Sequence, residues 1–261
     1  MSRVCVLGHR GMLGHVVARY LKESGLEVVT IADRFRGAAE GDTFLSQIRR
    51  LNPDWCVNCI GVRAGDAISE TWTDEVNHLL PALCSRGIPD SCGLVHASSD
   101  AVFSPTSGPH QWHDQPDATD VYGASKRAAE TALSRDNDFL IRCSIVGPEL
   151  GQARSLLGWL QAQSGDVNGY VNQHWNGITT LQWAKECAAI IDAPLIGGRI
   201  VQPACEPIVT KGELLELISQ VWGLSCRIRQ IEGPVSVYRP LISNRSSYSL
   251  PVLLAELRTW Y

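Results

Sequence analysis

Short apolar runs alternate with amphipathic stretches along the first 145 residues of the chain. Each short run predicts a buried strand, and each stretch with apolar residues three and four positions apart predicts a helix. The predicted strands are 3–7, 27–32, 55–60, 93–97 and 139–145, and the predicted helices are 15–24, 44–51, 74–85 and 127–134. This alternation indicates an α/β fold with a doubly wound parallel sheet.

The periodicity loosens after Gly147 and Pro148. Helices are predicted at 156–163, 180–191, 211–222 and 251–261, with a short strand at 199–201 and an irregular loop at 170–177. Thr179 and Thr180 both suit the N-cap of the second of these helices. No linker separates an independent domain. We therefore expect residues 1–148 to form the core, and residues 149–261 to form a small mixed α/β lobe that also completes it.

Length and composition fit this plan. The 261 residues are 44% hydrophobic, enough for one large α/β core with a small lobe. The net charge of −4 argues against a nucleic-acid or membrane surface. Met1 leads directly into an apolar strand without a signal peptide, and no apolar run reaches the ~20 residues that span a bilayer. The sequence thus predicts a cytoplasmic protein.

The nine cysteines are scattered through apolar segments, as expected of reduced thiols in a cytosolic protein. Cys56 and Cys59 form a C-x-x-C pair, but they lie inside an apparent buried strand and no second pair follows. The histidines are dispersed and lack the spacing of metal ligands. We therefore expect neither a metal site nor redox use of this pair.

Three glycines follow the first predicted strand. Gly8, Gly11 and Gly14 precede or begin a helical stretch, which makes a strand, a glycine-rich turn and a helix. This is the arrangement of a dinucleotide-binding (Rossmann) unit, in which the helix N-terminus faces the pyrophosphate. The spacing is G-x-x-G-x-x-G rather than the commoner G-x-G-x-x-G, so a plain tight turn is the alternative.

Charged residues near this turn bear on the cofactor. Asp33 ends the second strand, where an acid can bind the ribose hydroxyls of NAD. Arg10, Arg34 and Arg36 lie close in sequence, and guanidinium groups pair with the 2′-phosphate of NADP. The alternative for each arginine is a solvated loop charge. Three arginines favour NADPH, with NADH as the other candidate.

Two further segments carry candidate chemistry. Ser98, Ser99 and Asp100 follow the fourth strand, at the edge where open α/β sheets bind ligands, although they also suit a turn cap. Tyr122 and Lys126 are four residues apart, on one face of a helix. An ammonium beside a phenol favours the phenolate, so we expect Lys126 to lower the pKa of Tyr122 toward values useful in general acid–base catalysis. An ordinary helix with a solvated lysine is the alternative.

The order of these motifs resembles the extended short-chain dehydrogenase/reductase superfamily, and most of all its dTDP-4-dehydrorhamnose reductase family. The matching segments are HASSDAVF (96–103), VYGASKRAAE (121–130), FLIRCS (139–144) and, more weakly, NQHWNGITT (172–180). The glycine turn, GHRGMLG, is similar to that of GDP-fucose synthase, an NADPH-dependent relative. The resemblance is close to about residue 148 and looser beyond it.

The resemblance implies roles for individual residues. Tyr122 would donate a proton to a ketone oxygen, Lys126 would bind the nicotinamide ribose, and Ser99 would hydrogen-bond the carbonyl oxygen in place of a threonine. Asp100 and Ile145 match substrate-contacting positions, although the family usually has an aromatic residue at the second. The positions that match cofactor contacts are Gly8, Arg10, Gly11, Met12, Leu13, Asp33, Cys59, Ile60, Gly61 and Ala97.

Departures from the superfamily narrow the chemistry. Ala101 stands where 4,6-dehydratases have a glutamate base, where GDP-fucose synthase has a cysteine, and where the reductases have a tyrosine that faces the sugar. The resemblance thus implies simple reduction of a nucleotide-activated 4-keto-6-deoxy sugar by an NAD(P)H-dependent enzyme. A nucleotide-sugar 4-epimerase needs the same three residues and stays open. A non-catalytic role, like that of the regulatory subunit of methionine adenosyltransferase, also stays open, although an intact catalytic set argues against it.

Two expectations concern the surroundings of the site. His174 and Trp175 are candidates to line the sugar pocket from the lobe, because aromatic faces suit sugar rings, but a buried structural tryptophan is the alternative. The expected partner is the nucleotide sugar, with neither nucleic acid nor membrane. A helix-paired homodimer is common among the relatives, and the sequence leaves the oligomeric state, the nucleotide and the sugar open.

Overall fold

The core of the computed structural model is a parallel sheet of six strands, and the structure describes residues 1–31, 33–63, 68–151, 154–193 and 199–261. In chain order, the strands of these residues are β1 (Arg3–Leu7), β2 (Glu27–Thr30), β3 (Trp55–Asn58), β4 (Gly93–Ala97), β5 (Asp138–Ile141), β6 (Ile145–Val146), β7 (Asp166–Tyr170), β8 (His174–Trp175), β9 (Ile178–Thr179), β10 (Ile200–Val201), β11 (Val209–Thr210) and β12 (Arg227–Ile231). Their α-helices are α1 (Met12–Glu23), α2 (Gly41–Leu51), α3 (Glu70–Asp74), α4 (Leu80–Gly87), α5 (Val121–Ala132), α6 (Leu156–Gln161), α7 (Thr180–Asp192), α8 (Lys211–Trp222) and α9 (Leu250–Trp260), and a π-helical turn (Glu75–Leu79) joins α3 to α4.

The six strands lie in the order β2-β1-β3-β4-β5-β10, and all neighbours are parallel. From β1 the chain first connects to β2 on one side and later continues through β3 on the other, so the direction of winding reverses at β1. At such a reversal the loops diverge and leave a crevice at the carboxyl ends of the strands. The predicted doubly wound sheet is confirmed.

Both faces of the sheet are covered, and β1 shows why its sequence is apolar throughout. Side chains alternate between the two faces of a strand. Val4 and Val6 pack in the layer that contains α1 and α7, whereas Cys5 and Leu7 pack in the layer that contains α2 and α4. All four are buried, as in the central strands of parallel sheets.

The C-terminal portion does two things at once. β10 pairs with β5 and extends the main sheet, and α7 packs against α1. Among the other strands of this portion, β7 pairs with β12 and β8 with β11 next to α8, and β9 pairs with β6. The assignment of residues 1–148 and 149–261 to an NAD(P)-binding core and a substrate lobe stays a prediction, because these contacts do not separate two units.

Element boundaries differ from the predicted ones where side chains or distant pairing decide them. α5 begins at Val121, before the predicted start, because the Asp120 side chain accepts a hydrogen bond from Gly123 N at 3.0 Å and caps the helix. β8 lies inside the segment predicted to be a loop, and it forms by pairing with distant β11. β2 ends at Thr30, and Ala32 of the predicted strand lies outside the described residues. Thr179 is the N-cap of α7.

Candidate functional site

A crevice runs along the carboxyl ends of the central strands. It consists of two adjoining cavities of about 330 and 410 Å³, and both are lined by Gly11 and by the end of the β3 segment at Cys59, Ile60 and Gly61. The smaller cavity is also lined by Gly8, Arg10, Asp33 and Arg34, and the larger by Met12, Leu13, Ala97, Tyr122 and Lys126. The structure thus brings the residues predicted for the cofactor to one crevice.

The glycine turn fits a pyrophosphate. Gly8 has φ +78°, which L side chains rarely adopt, and a Cβ on Gly14 would lie 2.2 Å from the carbonyl oxygen of Gly8. These two glycines therefore let α1 approach β1 closely. The first turn of α1 has no side-chain cap and no acidic residue. Its N–H groups and positive dipole end can accept an anion.

The smaller cavity contains residues that the sequence reasoning missed. Phe35 and Trp72 line the smaller cavity, and their rings are stacked with centroids 6.3 Å apart. Asp33 and Arg34 are both exposed at its rim. A tryptophan in a helix gave no signal beyond that of a core residue, so only the packing of α3 against the crevice identifies Trp72.

Three predicted catalytic residues meet in the larger cavity. Ser99, Tyr122 and Lys126 all line it. Ser99 Oγ accepts a hydrogen bond from Ala101 N and donates one to Asp100 Oδ1, each at 3.1 Å. Lys126 Nζ donates to Ala97 O at the end of β4, at 3.1 Å. Tyr122 and Lys126 lie one turn apart on α5, as the spacing predicted.

The expected effect of Lys126 on Tyr122 is wrong for this structure. The pKa of Tyr122 lies above its ordinary value, because burial of the phenol disfavours the phenolate, although the nearby Ser99 hydroxyl opposes this rise. Burial also lowers the pKa of Lys126 to about 8, which Glu130 partly counteracts. The ammonium of Lys126 donates its hydrogen bond to Ala97 O, and burial dominates the shift at Tyr122. At neutral pH, Tyr122 is therefore a protonated phenol.

Asp100 connects the site to the C-terminal portion. Its carboxylate lies 3.5 Å from Arg239 Nε, and Lys211 lies within electrostatic reach of both groups. Arg239 thus pairs with this carboxylate beside Tyr122, and Lys211 adds positive charge at longer range, although burial lowers the pKa of Lys211. The sequence reasoning missed Arg239 and Lys211, since neither lies in a motif and both reach the site from elements distant in sequence.

Trp175 does not reach the crevice, in contrast to its predicted contact with substrate. It is 4% exposed and packs in the core. Its indole Nε1 donates to Ser144 Oγ at 2.8 Å, and Ser144 lines the larger cavity beside Ile145. Trp175 ends β8 and pairs with Val209 of β11, so it is covered by its own short sheet and supports the wall of the cavity rather than its surface. Its predicted neighbour His174 lies against Tyr238.

Buried polar side chains connect the elements that surround the crevice. Asn77, in the π-helical turn, accepts from Val62 N at 2.9 Å and donates to Ser125 Oγ on α5 at 3.2 Å. Gly61 lies above Lys126, and a Cβ there would come within 3.4 Å of Nζ. This glycine leaves room over the ammonium, which fits a bound ribose.

Within the described part of the chain, no group of three or more His, Cys, Asp or Glu side chains is arranged to hold a metal ion. The same residues include no helix long and apolar enough to cross a membrane.

Comparison with known proteins gives a family. A family model for the RmlD substrate binding domain matches residues 2–155. The spore coat polysaccharide biosynthesis protein SpsK of Bacillus subtilis (strain 168) is 28% identical over 154 residues, which cover 56% of this chain and 54% of SpsK. The methionine adenosyltransferase 2 subunit beta of Xenopus laevis is 26% identical over 148 residues, which cover 52% of this chain and 44% of that subunit. The matches span about half the length of these curated relatives.

The similarity of fold extends further. The structure of a dTDP-4-dehydrorhamnose reductase from Bacillus anthracis str. Ames in complex with NADP has a TM-score of 0.86 to this chain, with 14% identity, and the comparison covers 100% of this chain and 99% of that one. The shared fold therefore includes the C-terminal portion, which lies beyond the family match.

Proposed function

Because this chain belongs to the RmlD substrate binding domain family, within the extended short-chain dehydrogenase/reductase superfamily, we propose that it is an NAD(P)H-dependent ketoreductase of a nucleotide-activated 4-keto-6-deoxy sugar. The observation that carries the proposal is one cavity lined by Ser99, Tyr122 and Lys126 together with Gly11 of the glycine turn. A proton donor, a carbonyl-binding hydroxyl and a ribose-binding ammonium then adjoin a dinucleotide crevice.

The cofactor would supply a hydride to the keto carbon of the sugar. Ser99 Oγ would hold the carbonyl oxygen, and Tyr122 would transfer its phenolic proton to that oxygen, which completes reduction of the ketone to an alcohol. The raised pKa of Tyr122 keeps this proton in place at neutral pH. Lys126 would bind the nicotinamide ribose, and its charge would stabilise the phenolate that forms.

NADPH is the proposed cofactor, with NADH as the alternative. Arg10 and Arg34 line the adenosine end of the crevice, where they could pair with a 2′-phosphate. Asp33 lines the same cavity and could instead bind ribose hydroxyls. The similar reductase of Bacillus anthracis is in complex with NADP, which supports the first choice.

The substrate proposal draws on charge and on residue size. Beside the site, two basic side chains, Arg239 and Lys211, stand against the single carboxylate of Asp100. An excess of positive charge suits a substrate with a diphosphate. SpsK belongs to spore coat polysaccharide biosynthesis by its name, which supports a sugar substrate. Buried Ala101 leaves no acid or thiol for dehydration or epimerisation at that position.

The decisive experiment replaces Tyr122 by Phe and follows NADPH consumption with a series of nucleotide-linked keto sugars. Loss of the proton donor should lower kcat by about a hundredfold to ten-thousandfold. Binding of NADPH, measured by its fluorescence, should not change. Tyr20→Phe is the matched control, because it removes a phenolic hydroxyl from α1 outside the crevice. Turnover by Tyr122→Phe at the rate of the unmodified protein would contradict the proposal.

A second candidate is a non-catalytic binding subunit, and the similarity to methionine adenosyltransferase 2 subunit beta favours it. A protein of this kind would bind NADPH yet leave every keto sugar unreduced, and it would co-purify with a larger enzyme. Purification with stoichiometric, non-exchanging NAD would instead indicate a 4-epimerase, which oxidises and re-reduces the same carbon.

A further inference from the structure

A buried polar cluster lies beside the catalytic end of the crevice, and the roles proposed above do not use it. It consists of Ser98, Glu130, Arg142 and Gln202, and we call it the Glu130 cluster. Arg142 donates two hydrogen bonds to Glu130, from Nε to Oε1 at 2.9 Å and from Nη2 to Oε2 at 2.6 Å. The two side chains are 1% and 6% exposed.

Glu130 also connects the segment after β4, which carries Ser98 and Ser99, to the helix that carries Tyr122. Ser98 Oγ donates to Glu130 Oε1 at 2.5 Å, and Ser98 is the residue directly before Ser99. Tyr122, Lys126 and Glu130 succeed one another at four-residue spacing on α5, so they share a face of the helix. One hydrogen bond therefore fixes the end of β4 against this face.

The remaining nitrogen of Arg142 fixes the surroundings of the same pair. Nη1 donates to Trp112 O and to Gln202 Oε1, each at 3.1 Å. Gln202 Nε2 in turn donates to His110 O and Ile242 O, each at 2.9 Å. The cluster thus holds the loop before α5 and the C-terminal segment that follows Arg239.

Stability alone does not explain such a cluster. Burying two charges costs desolvation energy that their attraction only roughly repays, and apolar side chains of the same volume often stabilise a fold as well. What an ion pair gripped by two nitrogens adds is a fixed direction and distance. Those properties matter here because the Ser99 and Tyr122 hydroxyls must face one carbonyl oxygen.

We propose that Ser98 and Glu130 are positioning residues, which hold the Ser99 hydroxyl at the phenol of Tyr122. The proposal rests on the roles given above to Ser99 and Tyr122. In this proposal neither Ser98 nor Glu130 touches the reacting atoms. They act by fixing β4 against α5.

A second cluster in this protein gives a matched control. Ser85 Oγ donates to Asp138 Oδ2 at 2.6 Å, and Asp138 pairs with Arg135 at 2.8 Å. This serine also hydrogen-bonds a buried carboxylate held by an arginine, but it does not line the crevice. Ser98→Ala and Ser85→Ala therefore remove the same kind of hydrogen bond at different places. Glu130→Gln would leave a buried arginine unpaired and could unfold the protein, so the serine pair is the better test.

The first measurement does not depend on turnover. In protein with isotopically labelled tyrosine, the Cζ resonance of Tyr122 is assigned by its loss in Tyr122→Phe. Ser98→Ala should shift this resonance, Ser98→Thr should restore it because it keeps a hydroxyl, and Ser85→Ala should leave it in place. An equal effect of the two alanine variants, or none, would overturn the proposal whether or not the protein is a reductase.

The second measurement is kinetic. With a keto sugar that the unmodified protein reduces, Ser98→Ala should lower kcat about tenfold to a hundredfold, as expected of a small misplacement. KM and the Kd of NADPH should stay within about twofold, and Ser85→Ala should change none of the three. Weaker NADPH binding without a shift of the Tyr122 resonance would make Ser98 a cofactor contact and would overturn the proposal. Absence of any reduction by the unmodified protein would instead count against the proposed function.

Discussion

Burial sets the acidity of the two groups at the centre of the site. Tyr122 has a raised pKa and Lys126 a lowered one, so each is pushed toward its neutral form. A neutral phenol can donate a proton, and an ammonium with a pKa of about 8 still carries its charge at pH 7. A bound substrate and cofactor would replace water around both groups. At neutral pH the two groups therefore have the protonation states that the proposed reduction requires.

The buried ammonium has a cost that can be measured. Lys126→Met should stabilise the protein at pH 7, because a pKa lowered from 10.5 to about 8 represents about 3 kcal/mol of desolvation, less about 1 kcal/mol for the lost hydrogen bond to Ala97 O. Below pH 8 the ammonium is charged in both the folded and the unfolded state, so Lys126→Met shows its full gain in the free energy of unfolding. Between pH 8 and 10.5 only the unfolded state keeps the proton, so the native protein gains stability and the advantage shrinks.

Urea unfolding across this pH range measures the difference. Glu130 and Cys59 both act to raise the pKa of Lys126, and His96 lies within electrostatic reach, so these groups must stay unchanged. Lys22→Met, on the exposed face of α1, is the control and should change stability by less than about 0.5 kcal/mol at any pH. A stabilisation that does not fall above pH 8 would contradict the prediction.

At the scale of elements, the contact of α1 with the turn after β1 forms the part of the crevice that we propose for the cofactor. Gly8 supplies a positive φ, and Gly14 lets the helix lie against the carbonyl of Gly8. The uncapped first turn of α1 then faces the cavity. The opposite design holds at α5, where Asp120 caps the helix and fixes the turn that carries Tyr122. One helix end is left free for a ligand, and the other is closed.

Gly14→Ala should greatly weaken NADPH binding. Its Cβ would lie 2.2 Å from a backbone oxygen, so α1 and the turn must move apart. The dissociation constant for NADPH, measured by fluorescence, should rise at least about a hundredfold, since pyrophosphate binding depends on this approach. Gly41→Ala, at the start of α2, meets only the flexible end of Leu83 and should bind NADPH normally. Unchanged binding by Gly14→Ala would place the pyrophosphate elsewhere.

At the scale of the molecule, the first 148 residues and the C-terminal portion pack together at α1 and α7, at β5 and β10, and at polar contacts beside the crevice. Asp100 pairs with Arg239, and Arg142 hydrogen-bonds Gln202. The proposed catalytic groups Ser99, Tyr122 and Lys126 lie before residue 148, whereas Arg239 and Lys211, proposed to attract the substrate, come later in the chain. Substitutions at the polar contacts beside the crevice should therefore affect substrate affinity and turnover differently.

Arg239→Met tests this separation. It should raise KM for the nucleotide sugar about tenfold to a hundredfold, because a charge-assisted contact to a phosphate is lost, and leave the Kd of NADPH unchanged. The salt dependence of KM should weaken at the same time. Arg245→Met is the control, since Arg245 pairs with Glu186 in a similar half-buried position outside the crevice. An equally large loss of NADPH binding in Arg239→Met would instead indicate a general disruption of the contacts around the crevice.

The sequence by itself determined the doubly wound sheet, the glycine turn after β1 and the placement of Tyr122 beside Lys126, because these depend on local patterns. Alternating periodicities specify strands and helices, a glycine turn follows β1, and Tyr122 and Lys126 share a face by their spacing alone. Their roles and those of the other site residues stay predictions. Only the tertiary structure decided that Trp175 lies in the core, that Arg239 faces Asp100, and that the pKa of Tyr122 rises rather than falls. Burial and ion pairing depend on residues that are distant along the chain, so no local sequence pattern encodes these three features.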